Sequence, residues 1–344
     1  MSTTVVSVLV TGAGGGVGEG IIKALRMIRG MEIRIVAADM SHWAAGLYAG
    51  DVMRLVPRAS APGYIDAIIA ICKAEGCAYY LPGTDVELAV CAANAERIER
   101  ESGAHVVISS PAVVRIADDK HATARFLEKH GLAFPRTFLR EEWRAGALPF
   151  PLIVKPRVGC RSIGVELVRD EHELVRALAR SDEIVLQERL GDDDTEYTCT
   201  VVSCRGEPSR VVVLQRWLRA GDTYRVVPVQ DERIEAYVLQ TARALAALGA
   251  RGSTNFQLRL DGGAPKIFEL NARFSGTTPL CAELGMNPVE SYLKRHRGMS
   301  YDGSARTDVV ILRHWAELIV PRAAFDALAR DGRAAAPAVE RGVL

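Results

Sequence analysis

Two alternating segments around residue 260 constrain this chain more than any other feature. Residues 255–260 and 266–271 each alternate polar with apolar side chains, and Asp261, Gly262 and Gly263 follow the first of them. Successive side chains of a strand point to opposite faces, and Asp-Gly favours a tight turn, so the pattern predicts a β-hairpin. One face of this hairpin is expected to be apolar, with Phe256, Leu258, Leu260, Phe268 and Leu270 on it.

The opposite face of the predicted hairpin carries polar side chains that are rich in oxygen. Its members are Asn255, Gln257, Arg259, Glu269 and Asn271. Mg²⁺ takes hard oxygen ligands from a few protein groups together with water and nucleotide phosphates. Glu269 and Asn271 can reach one small volume, and Gln257 can approach it from the neighbouring strand. A solvated face at a sheet edge shows the same alternation, so the pattern alone leaves both interpretations open.

The overall composition excludes several classes of function. The 344 residues are enough for two or three structural units, and the 49% of hydrophobic and 25% of charged residues are ordinary globular values. A net charge of +1 gives no electrostatic reason to expect nucleic acid or a membrane surface as a partner. No apolar run approaches the roughly 20 residues of a membrane span, and the N-terminus has the pattern of a strand rather than a signal peptide. We therefore expect a soluble protein.

The cysteine pattern indicates a reducing compartment. None of the seven cysteines forms a Cys-x-x-Cys pair, and most lie in apolar segments, as buried or free thiols do. Cys160 lies in a loop, where we interpret it as an incidental thiol rather than a nucleophile. The expected location is cytoplasmic.

The first 110 residues have the pattern of a doubly wound α/β domain. An apolar strand at residues 5–10 leads into a glycine-rich turn at residues 11–18, and a second strand ends at Asp39. A dinucleotide-binding fold shows the same order, so nicotinamide binding is one alternative. Short-chain dehydrogenases with such a turn also need a Tyr followed four residues later by Lys, and none of the nine tyrosines meets that condition.

Two further features allow both a structural and a functional interpretation. Asp85 and Glu87 lie where a strand turns into a helix, so they either cap that helix or make a polar contact where two domains meet. Lys155 closes an apolar strand at residues 152–156, and burial of an ammonium group without a partner is costly. Because residues 157–164 supply glycines, a serine and two arginines, Lys155 suits phosphate binding.

The order and type of these segments resemble the ATP-grasp superfamily, closest to its carbamoyl-phosphate-synthetase-like and amino-acid-ligase branches. The resemblance implies an α/β fold with a Rossmann-like pre-grasp domain, whose glycine-rich turn faces the acceptor, and then a two-lobed α+β ATP-grasp domain. The units would be residues 1–110, an N-terminal lobe (the ATP lid) at 111–190, a C-terminal lobe at 191–320 and a tail at 321–344. The resemblance is carried by residues 152–156, residues 187–190 with Glu196, and above all Asn255-x-Gln257 followed by Glu269-x-Asn271-x-Arg273.

The same resemblance implies roles for individual residues. Lys120 and Lys155 would bind the ATP phosphates, and Lys155 would act in catalysis together with Arg273, which would face the transferred phosphate. The loop after Lys155 is less glycine-rich than is usual, so which of its backbone groups reach the phosphates stays open. The other nucleotide contacts would be Gln187, Glu188, Arg189, Leu190, Glu196 and Asn255, and the metal ligands would be Gln257, Glu269 and Asn271.

The substrates themselves are not indicated by the sequence. Candidate contacts are Arg216 and Arg225, which could equally be solvated hairpin charges, and the residues after the metal strand, Ser275, Gly276 and Thr277. The segment after Pro321 is rich in Ala and Arg and indicates little about function.

The activity that the resemblance implies is an ATP-dependent ligase that joins a carboxylate to an amine through an acyl phosphate and releases ADP. Its cofactors would be ATP and two Mg²⁺ ions, with Mn²⁺ able to substitute. Its partners would be small molecules, and a homodimer is compatible with this interpretation. Three alternatives stay open: phosphorylation of bicarbonate by the same machinery, a nicotinamide-dependent oxidoreductase, and a nucleotide-binding regulator without turnover.

Overall fold

The computed structural model describes residues 5–159, 163–314, 316–337 and 340–341. One doubly wound α/β unit and two α+β units, each built around its own sheet, make up most of this structure, in agreement with the predicted fold class. Cys160 lies outside the described residues, so the interpretation of its thiol stays a prediction. Within the described ranges, no helix combines the length and the apolar composition needed to cross a membrane.

The N-terminal domain is a doubly wound sheet of six strands. Its central strand, Val6–Val10, runs parallel to Ile33–Asp39 and Tyr79–Leu81 and is buried along its whole length, which explains its unbroken apolar sequence. Helices cover both faces, so that one apolar layer forms around Ile21 and another around Ile68. The elements of residues 5–110 are the strands Val6–Val10, Ile33–Asp39, Val52–Leu55, Tyr79–Leu81 and His105–Val106, the helices Gly16–Arg26, Tyr64–Glu75, Asp85–Ala93 and Ala95–Ser102, and a 3-10 helix at Ala45–Ala49.

The end of the described chain returns to the N-terminal domain, which the sequence does not predict. Helix Arg322–Asp331 packs against the N-terminal core, and strand Arg333–Ala335 pairs antiparallel with Val52–Leu55 at the edge of the sheet. The guanidinium of Arg333 also lies 3.2 Å from the buried carboxylate of Glu75. The tail is therefore a structural part of the N-terminal domain.

A four-stranded antiparallel sheet forms a small lobe over residues 137–188, which we call the lid lobe. Alternation along its central strand places Leu152 and Val154 in the apolar core of this lobe. Lys155 therefore points to the other face, toward the rest of the molecule. The elements of the lid lobe are the strands Thr137–Leu139, Leu152–Pro156, Glu166–Val168 and Ile184–Glu188 and the helix Glu171–Leu178.

The C-terminal lobe is built on a seven-stranded antiparallel sheet, with helix Glu232–Ala247 packed on one face. The same core takes in helices Pro111–Asp118 and Lys120–Lys129, because their apolar faces lie against the hairpin. These two helices fall in the range predicted for the lid, but they pack with this lobe. Its remaining elements are the strands Glu196–Cys204, Glu207–Pro208, Val212–Arg219, Asp222–Val229, Gly252–Asp261, Ala264–Asn271 and Ile311–Leu312, the helices Thr278–Glu283 and Pro288–His296, and a 3-10 helix at Asp193–Thr195. A separate pair of short strands joins Leu318–Ile319 to Glu340–Arg341.

The hairpin around residue 260 forms as predicted. Gly252–Asp261 pairs antiparallel with Ala264–Asn271, and the turn between them uses the positive φ angles of Gly262 and Gly263, +58° and +82°. Its apolar face joins the core of the C-terminal lobe, where Phe256, Leu258 and Leu270 are buried and Leu260 is half-buried.

One local feature of the hairpin differs from the prediction. Gln257 lies opposite Glu269, but the next residue, Leu258, lies opposite Ile267, so Phe268 is the extra residue of a β-bulge. Because of this shift, Ile267 is buried in the core while Phe268 is only half-buried. The prediction that Phe268 lies on the apolar face is wrong.

A cluster of stacked rings joins the N-terminal domain to the C-terminal lobe. The ring centroids of His105 and His296 are 4.0 Å apart. Tyr292 lies 2.9 Å from Nε2 of His105, Tyr79 lies 3.0 Å from Nδ1 of His296, and Glu99 lies 3.0 Å from Nδ1 of His105. Burial and the neighbouring His296 lower the pKa of His105 to about 4, and burial also lowers the pKa of His296. The neutral form of this cluster is therefore the stable one.

These histidines predict that the folded protein loses stability as the pH falls. An unfolded histidine has a pKa of about 6.5. The stabilisation by neutral His105 is therefore complete above that pH and is lost as the pH falls toward about 4. We expect His105 to account for about 1.5 kcal/mol of the decrease in unfolding free energy between roughly pH 6.5 and 5.

Urea unfolding of wild type and His105→Gln at several pH values measures this contribution. The variant should show a shallower decrease, while His172→Gln, which changes an exposed histidine, should match the wild type. Equal slopes for wild type and His105→Gln would contradict the prediction.

Candidate active site

Lys155 lies at the centre of the candidate site, between the lid lobe and the C-terminal lobe. It is only 4% exposed. Its ammonium donates to Oε1 of Gln187 at 2.7 Å and to the carbonyl oxygen of Phe268 at 3.3 Å, and it lies 5.4 Å from the centroid of the Phe268 ring. The bulge that turns Phe268 out of the core thus brings both its carbonyl and its ring to the lysine. Gln187 is itself fixed by a hydrogen bond to Thr137 at 2.9 Å.

The charge on Lys155 is only partly compensated by the protein. Burial lowers the pKa of this lysine to about 8, Glu269 opposes that shift, and Lys120 adds to it. Within the described residues, no carboxylate forms an ion pair with the ammonium. Binding of a phosphate would stabilise such a buried cation, because the phosphate oxygens replace the water that the ammonium lost on burial.

Lys120, the second predicted phosphate lysine, lies against the loop that follows Lys155. It is the first residue of its helix and is buried, and Nζ donates to the carbonyl oxygen of Gly159 at 2.8 Å. Asp119 caps the same helix and pairs with Arg157 at 2.7 Å. The loop and Lys120 are therefore held together by two independent contacts.

The predicted adenine hinge connects the lid lobe to the C-terminal lobe. The carboxylate of Glu188 accepts from Arg136 at 3.0 Å, and Arg189 is exposed. Leu190 is buried, and its carbonyl oxygen accepts from Arg259 at 3.3 Å. Because Arg136 already holds the Glu188 carboxylate, a base bound here would depend mainly on backbone groups. The base-reading role of this segment stays a prediction.

Glu196 is the centre of an arginine network on the site face of the C-terminal sheet. One of its oxygens accepts from Arg216 at 2.7 Å, and the other accepts from Arg259 at 2.8 Å. Arg216 also donates to Oε1 of Gln257 at 2.7 Å. Arg216, a candidate substrate contact, therefore lies among the predicted nucleotide and metal residues. The predicted contact of Glu196 with ribose is not tested by these distances.

The predicted metal ligands lie side by side on the two strands of the hairpin. Gln257 faces Glu269 across the hairpin, and Asn255 faces Asn271. Nδ2 of Asn271 donates to Oε1 of Glu269 at 3.2 Å. The amide of Asn255 turns away and donates to Oγ1 of Thr198 at 2.7 Å, which suits the supporting role expected of it.

Gln257, Glu269 and Asn271 carry oxygen atoms of the kind that Mg²⁺ prefers, although Oε1 of Gln257 accepts from Arg216 and Oδ1 of Asn271 accepts from Arg273. All three are hard donors on one face, and in the described part of the chain the second oxygen of Glu269 has no protein donor. Among the described residues, no group of three or more His, Cys, Asp or Glu side chains forms another metal site. The assignment of the metal ligands stays a prediction that this geometry accommodates.

Arg273 links the metal strand to the N-terminal domain. Its Nε donates to Oδ1 of Asp85 at 2.6 Å, and its Nη2 donates to Oδ2 of Asp85 at 3.0 Å and to Oδ1 of Asn271 at 3.2 Å. The helix that begins at Asp85 is capped by Thr84 and Glu87, which form a capping box. The capping interpretation is therefore confirmed for Glu87 and the domain contact for Asp85.

The candidate substrate residues fall into two groups. Ser275 and Thr277 are buried, with their hydroxyl oxygens 2.7 Å apart, and the carbonyl oxygen of Gly276 accepts from Arg313 at 2.6 Å. Arg225 is exposed and stacks on the ring of a neighbouring tryptophan, 4.3 Å from its centroid. The contacts of Arg225 favour its interpretation as a hairpin charge.

The glycine-rich turn of the N-terminal domain is filled by the protein itself. Gly12 has a φ of +62°, and a side chain at this position would collide with Thr84. Asp39, at the end of the second strand, accepts from the backbone N–H of Gly14 at 2.8 Å. In a dinucleotide site the corresponding acid binds the ribose. These contacts weigh against the nicotinamide alternative.

The sequence assigns no role to three arginines of the site, although it places Arg259 on the polar face of the hairpin. Arg136 holds Glu188, Arg313 holds the Gly276 carbonyl, and Arg259 holds Glu196. The position of Arg259 on the polar face of the hairpin was the available signal for its role. Arg136 and Arg313 reach the site only through tertiary packing, and their sequence neighbourhoods contain no comparable pattern.

Two family patterns match consecutive parts of the chain. Residues 8–107 match the PylC-like N-terminal domain, and residues 117–277 match the ATP-grasp domain. The second match spans Lys120 to Arg273, so every predicted nucleotide and metal residue lies within it.

Curated relatives include large chains of carbamoyl phosphate synthase. That of Streptomyces griseus subsp. griseus is 25% identical over 248 residues, which are 66% of this chain and 22% of the relative. That of Streptomyces coelicolor is 27% identical over 207 residues, which are 55% of this chain and 19% of the relative. The chain therefore spans about a fifth of the length of these relatives.

Several solved structures share the fold. N5-carboxyaminoimidazole synthetase from Staphylococcus aureus, complexed with ADP, has a TM-score of 0.68 at 15% identity and covers 96% of this chain and 87% of that chain. The biotin carboxylase domain of the Hydrogenobacter thermophilus 2-oxoglutarate carboxylase has a TM-score of 0.69 at 17% identity, and the match covers 88% of this chain and 73% of that chain. L-amino acid ligase from Bacillus licheniformis has a TM-score of 0.63 at 18% identity, and the match covers 84% of this chain and 73% of that chain. The two matches show that this chain carries a PylC-like N-terminal domain followed by an ATP-grasp domain, and its fold is that of the ATP-grasp enzymes among the solved structures.

Proposed function

We propose that this chain is an ATP-dependent ligase that joins a carboxylate to an amine. The observation that carries the proposal is the position of the buried Lys155 ammonium beside the strand of Glu269 and Asn271, with Arg273 just beyond them. A cation, hard oxygen ligands and a guanidinium group therefore converge from two lobes. The terminal phosphates of a nucleotide need such surroundings for phosphoryl transfer.

The proposed reaction activates the acid as an acyl phosphate. A carboxylate is a poor electrophile, because oxide would have to leave. When a carboxylate oxygen bonds to the γ-phosphorus of ATP, the bond to the β,γ-bridging oxygen breaks and ADP leaves. The amine nitrogen then attacks the carbonyl carbon, phosphate leaves, and the nitrogen loses a proton to give the amide.

Individual residues have distinct parts in this proposal. Lys155 and Lys120 would bind the phosphate oxygens, and Arg273 would stabilise the charge on the phosphoryl group during transfer. Residues 188–190 would contact adenine, and Glu196 would contact ribose. The three predicted metal ligands would hold two Mg²⁺ ions, or Mn²⁺ in their place. When bound, these ions would neutralise negative charge on the β- and γ-phosphates.

Bicarbonate is the second candidate for the acid. The carbamoyl phosphate synthase relatives and the biotin carboxylase structure, which is in complex with bicarbonate, favour it. The likeness to an L-amino acid ligase favours an organic acid instead. Both acids would use the same phosphoryl-transfer residues, so the choice depends on the acceptor side of the site. Small-molecule partners, a cytoplasmic location and a homodimer belong to the proposal as well.

Hydroxylamine trapping tests the function directly. With a panel of common amino acids as the acid and hydroxylamine as the amine, the activated acid should appear as a hydroxamate with an equal amount of ADP. Bicarbonate-dependent ADP release without hydroxamate would favour the second candidate. Acid-dependent formation of AMP and pyrophosphate, with no ADP, would contradict phosphoryl transfer to the acid.

Glu269→Gln tests the metal assignment. The substitution keeps the size of the side chain but removes the charged ligand, so we expect the rate of ADP formation to fall by at least about 100-fold with the fold unchanged. The matched control is Glu290→Gln, which removes a carboxylate that pairs with Lys294 at 2.6 Å elsewhere in the same lobe. Near wild-type turnover of Glu269→Gln, measured by ADP release, would contradict the assignment.

The lowered pKa of Lys155 predicts pH-dependent nucleotide binding. Because the ammonium is half-deprotonated near pH 8, neutral lysine predominates at higher pH and cannot pair with phosphate. The Kd for magnesium ATP should therefore increase about tenfold between roughly pH 7 and 9. Calorimetric titration measures it, and Lys155→Arg, whose guanidinium stays charged, is the control. The same pH profile in wild type and Lys155→Arg would contradict the prediction.

A further inference from the structure

We propose that Asp85 of the N-terminal domain is a positioning residue for Arg273 and makes phosphoryl transfer depend on the docking of this domain. The inference rests on the proposed function, because it concerns the guanidinium expected to stabilise the transferred phosphoryl group. Asp85 itself has no assigned contact with nucleotide, metal or substrate. Its effect would be exerted wholly through the direction in which Arg273 points.

The geometry of the ion pair restricts Arg273 strongly. Both carboxylate oxygens of Asp85 accept, one from Nε at 2.6 Å and one from Nη2 at 3.0 Å. Two parallel hydrogen bonds fix the plane of a guanidinium group, which a single contact does not. The Arg273 side chain is 11% exposed and that of Asp85 is 30% exposed, so the pair is sheltered from water without being sealed.

The same arginine continues the contact toward the predicted metal ligands. Nη2 of Arg273 donates to Oδ1 of Asn271 at 3.2 Å, and Nδ2 of Asn271 donates to Oε1 of Glu269 at 3.2 Å. Nη1 is held by the carbonyl oxygen of Phe274 at 3.0 Å. A continuous chain of hydrogen bonds therefore runs from Asp85 in one domain to Glu269 in the other lobe.

The position of Asp85 is in turn tied to the glycine-rich turn. Glu87 is buried two residues later, where it accepts from the hydroxyl of Thr11 at 2.7 Å and from the backbone N–H of Gly83 at 2.9 Å. Gly12 in the turn packs so closely on Thr84 that no side chain fits between them. The start of the helix that carries Asp85 is therefore in direct contact with the turn, and this turn is the part of the domain expected to face the acceptor.

A simpler interpretation is that the ion pair only stabilises the contact between domains. Its removal would then weaken folding or docking without a specific effect on the chemical step. A positioning role requires a fall in kcat with little change in KM for ATP, because Arg273 would act on the transferred phosphoryl group and not on the bound nucleotide. The positioning role therefore predicts a specific fall in kcat, whereas the stabilising role predicts weaker folding or docking.

Asp85→Asn is the test, with ADP release measured for the amino-acid panel and hydroxylamine. The change keeps the side-chain shape but removes the charge and one of the two acceptors for Arg273. We expect kcat to fall at least about tenfold while KM for ATP changes by less than about threefold. Asp85→Glu, which keeps the charge, should recover part of the loss. In an Arg273→Ala background, Asp85→Asn should cause little further decrease.

The matched control is Asp66→Asn. Asp66 also lies in the first turn of a helix in the N-terminal domain and pairs with an arginine, Arg97, at 2.5 Å, but that pair stays within the domain. The Asp66→Asn substitution should therefore leave kcat unchanged. A wild-type kcat in Asp85→Asn would overturn the inference but not the proposed function. So would an equally large decrease in kcat when Asp85→Asn is added to Arg273→Ala. Absence of acid-dependent ADP release in the wild type would instead contradict the proposed function, and the inference with it.

Discussion

The burial of one ammonium group, that of Lys155, is the constraint on which the site depends. Removing this charge from water is unfavourable, and the described residues place an amide oxygen, a carbonyl oxygen and an aromatic ring close to it. These three groups come from two elements: the amide oxygen of Gln187 from the lid lobe, and the carbonyl and ring of Phe268 from a bulge in the facing hairpin. The two lobes are therefore complementary around a cation that is ready for an anionic ligand.

Arginine–carboxylate pairs extend this arrangement over the rest of the site. Glu196 orients Arg216 and Arg259, and Arg216 in turn holds Gln257. Asp85 does the same for Arg273 from the neighbouring domain. Paired charges of this kind add little to stability on balance, but they fix the direction of long side chains before a ligand arrives. The polar face of the hairpin is thus held in one arrangement by contacts from three parts of the chain.

Much of this site could be predicted from the sequence, because its signals are local. Alternation predicted the two faces of the hairpin, and the apolar strand that ends in Lys155 indicated an ammonium group in need of a partner. The bulge at Phe268 could not be predicted, since it depends on how two strands align and not on the pattern of either one. The pairing of Asp85 with Arg273 could not be predicted either, because 188 positions separate the two residues.

The strand Arg333–Ala335 has a consequence for how the molecule is made. Val52–Leu55 leaves the ribosome early in synthesis, but its outer neighbour is added only after about 280 further residues. Until then the sheet presents an unpaired edge, of the kind that recruits other strands. The sheet of the N-terminal domain is therefore incomplete until residues 333–335 have been synthesised and can pair with it. A protein that binds such edges would bind this chain most readily before residues 333–335 emerge from the ribosome.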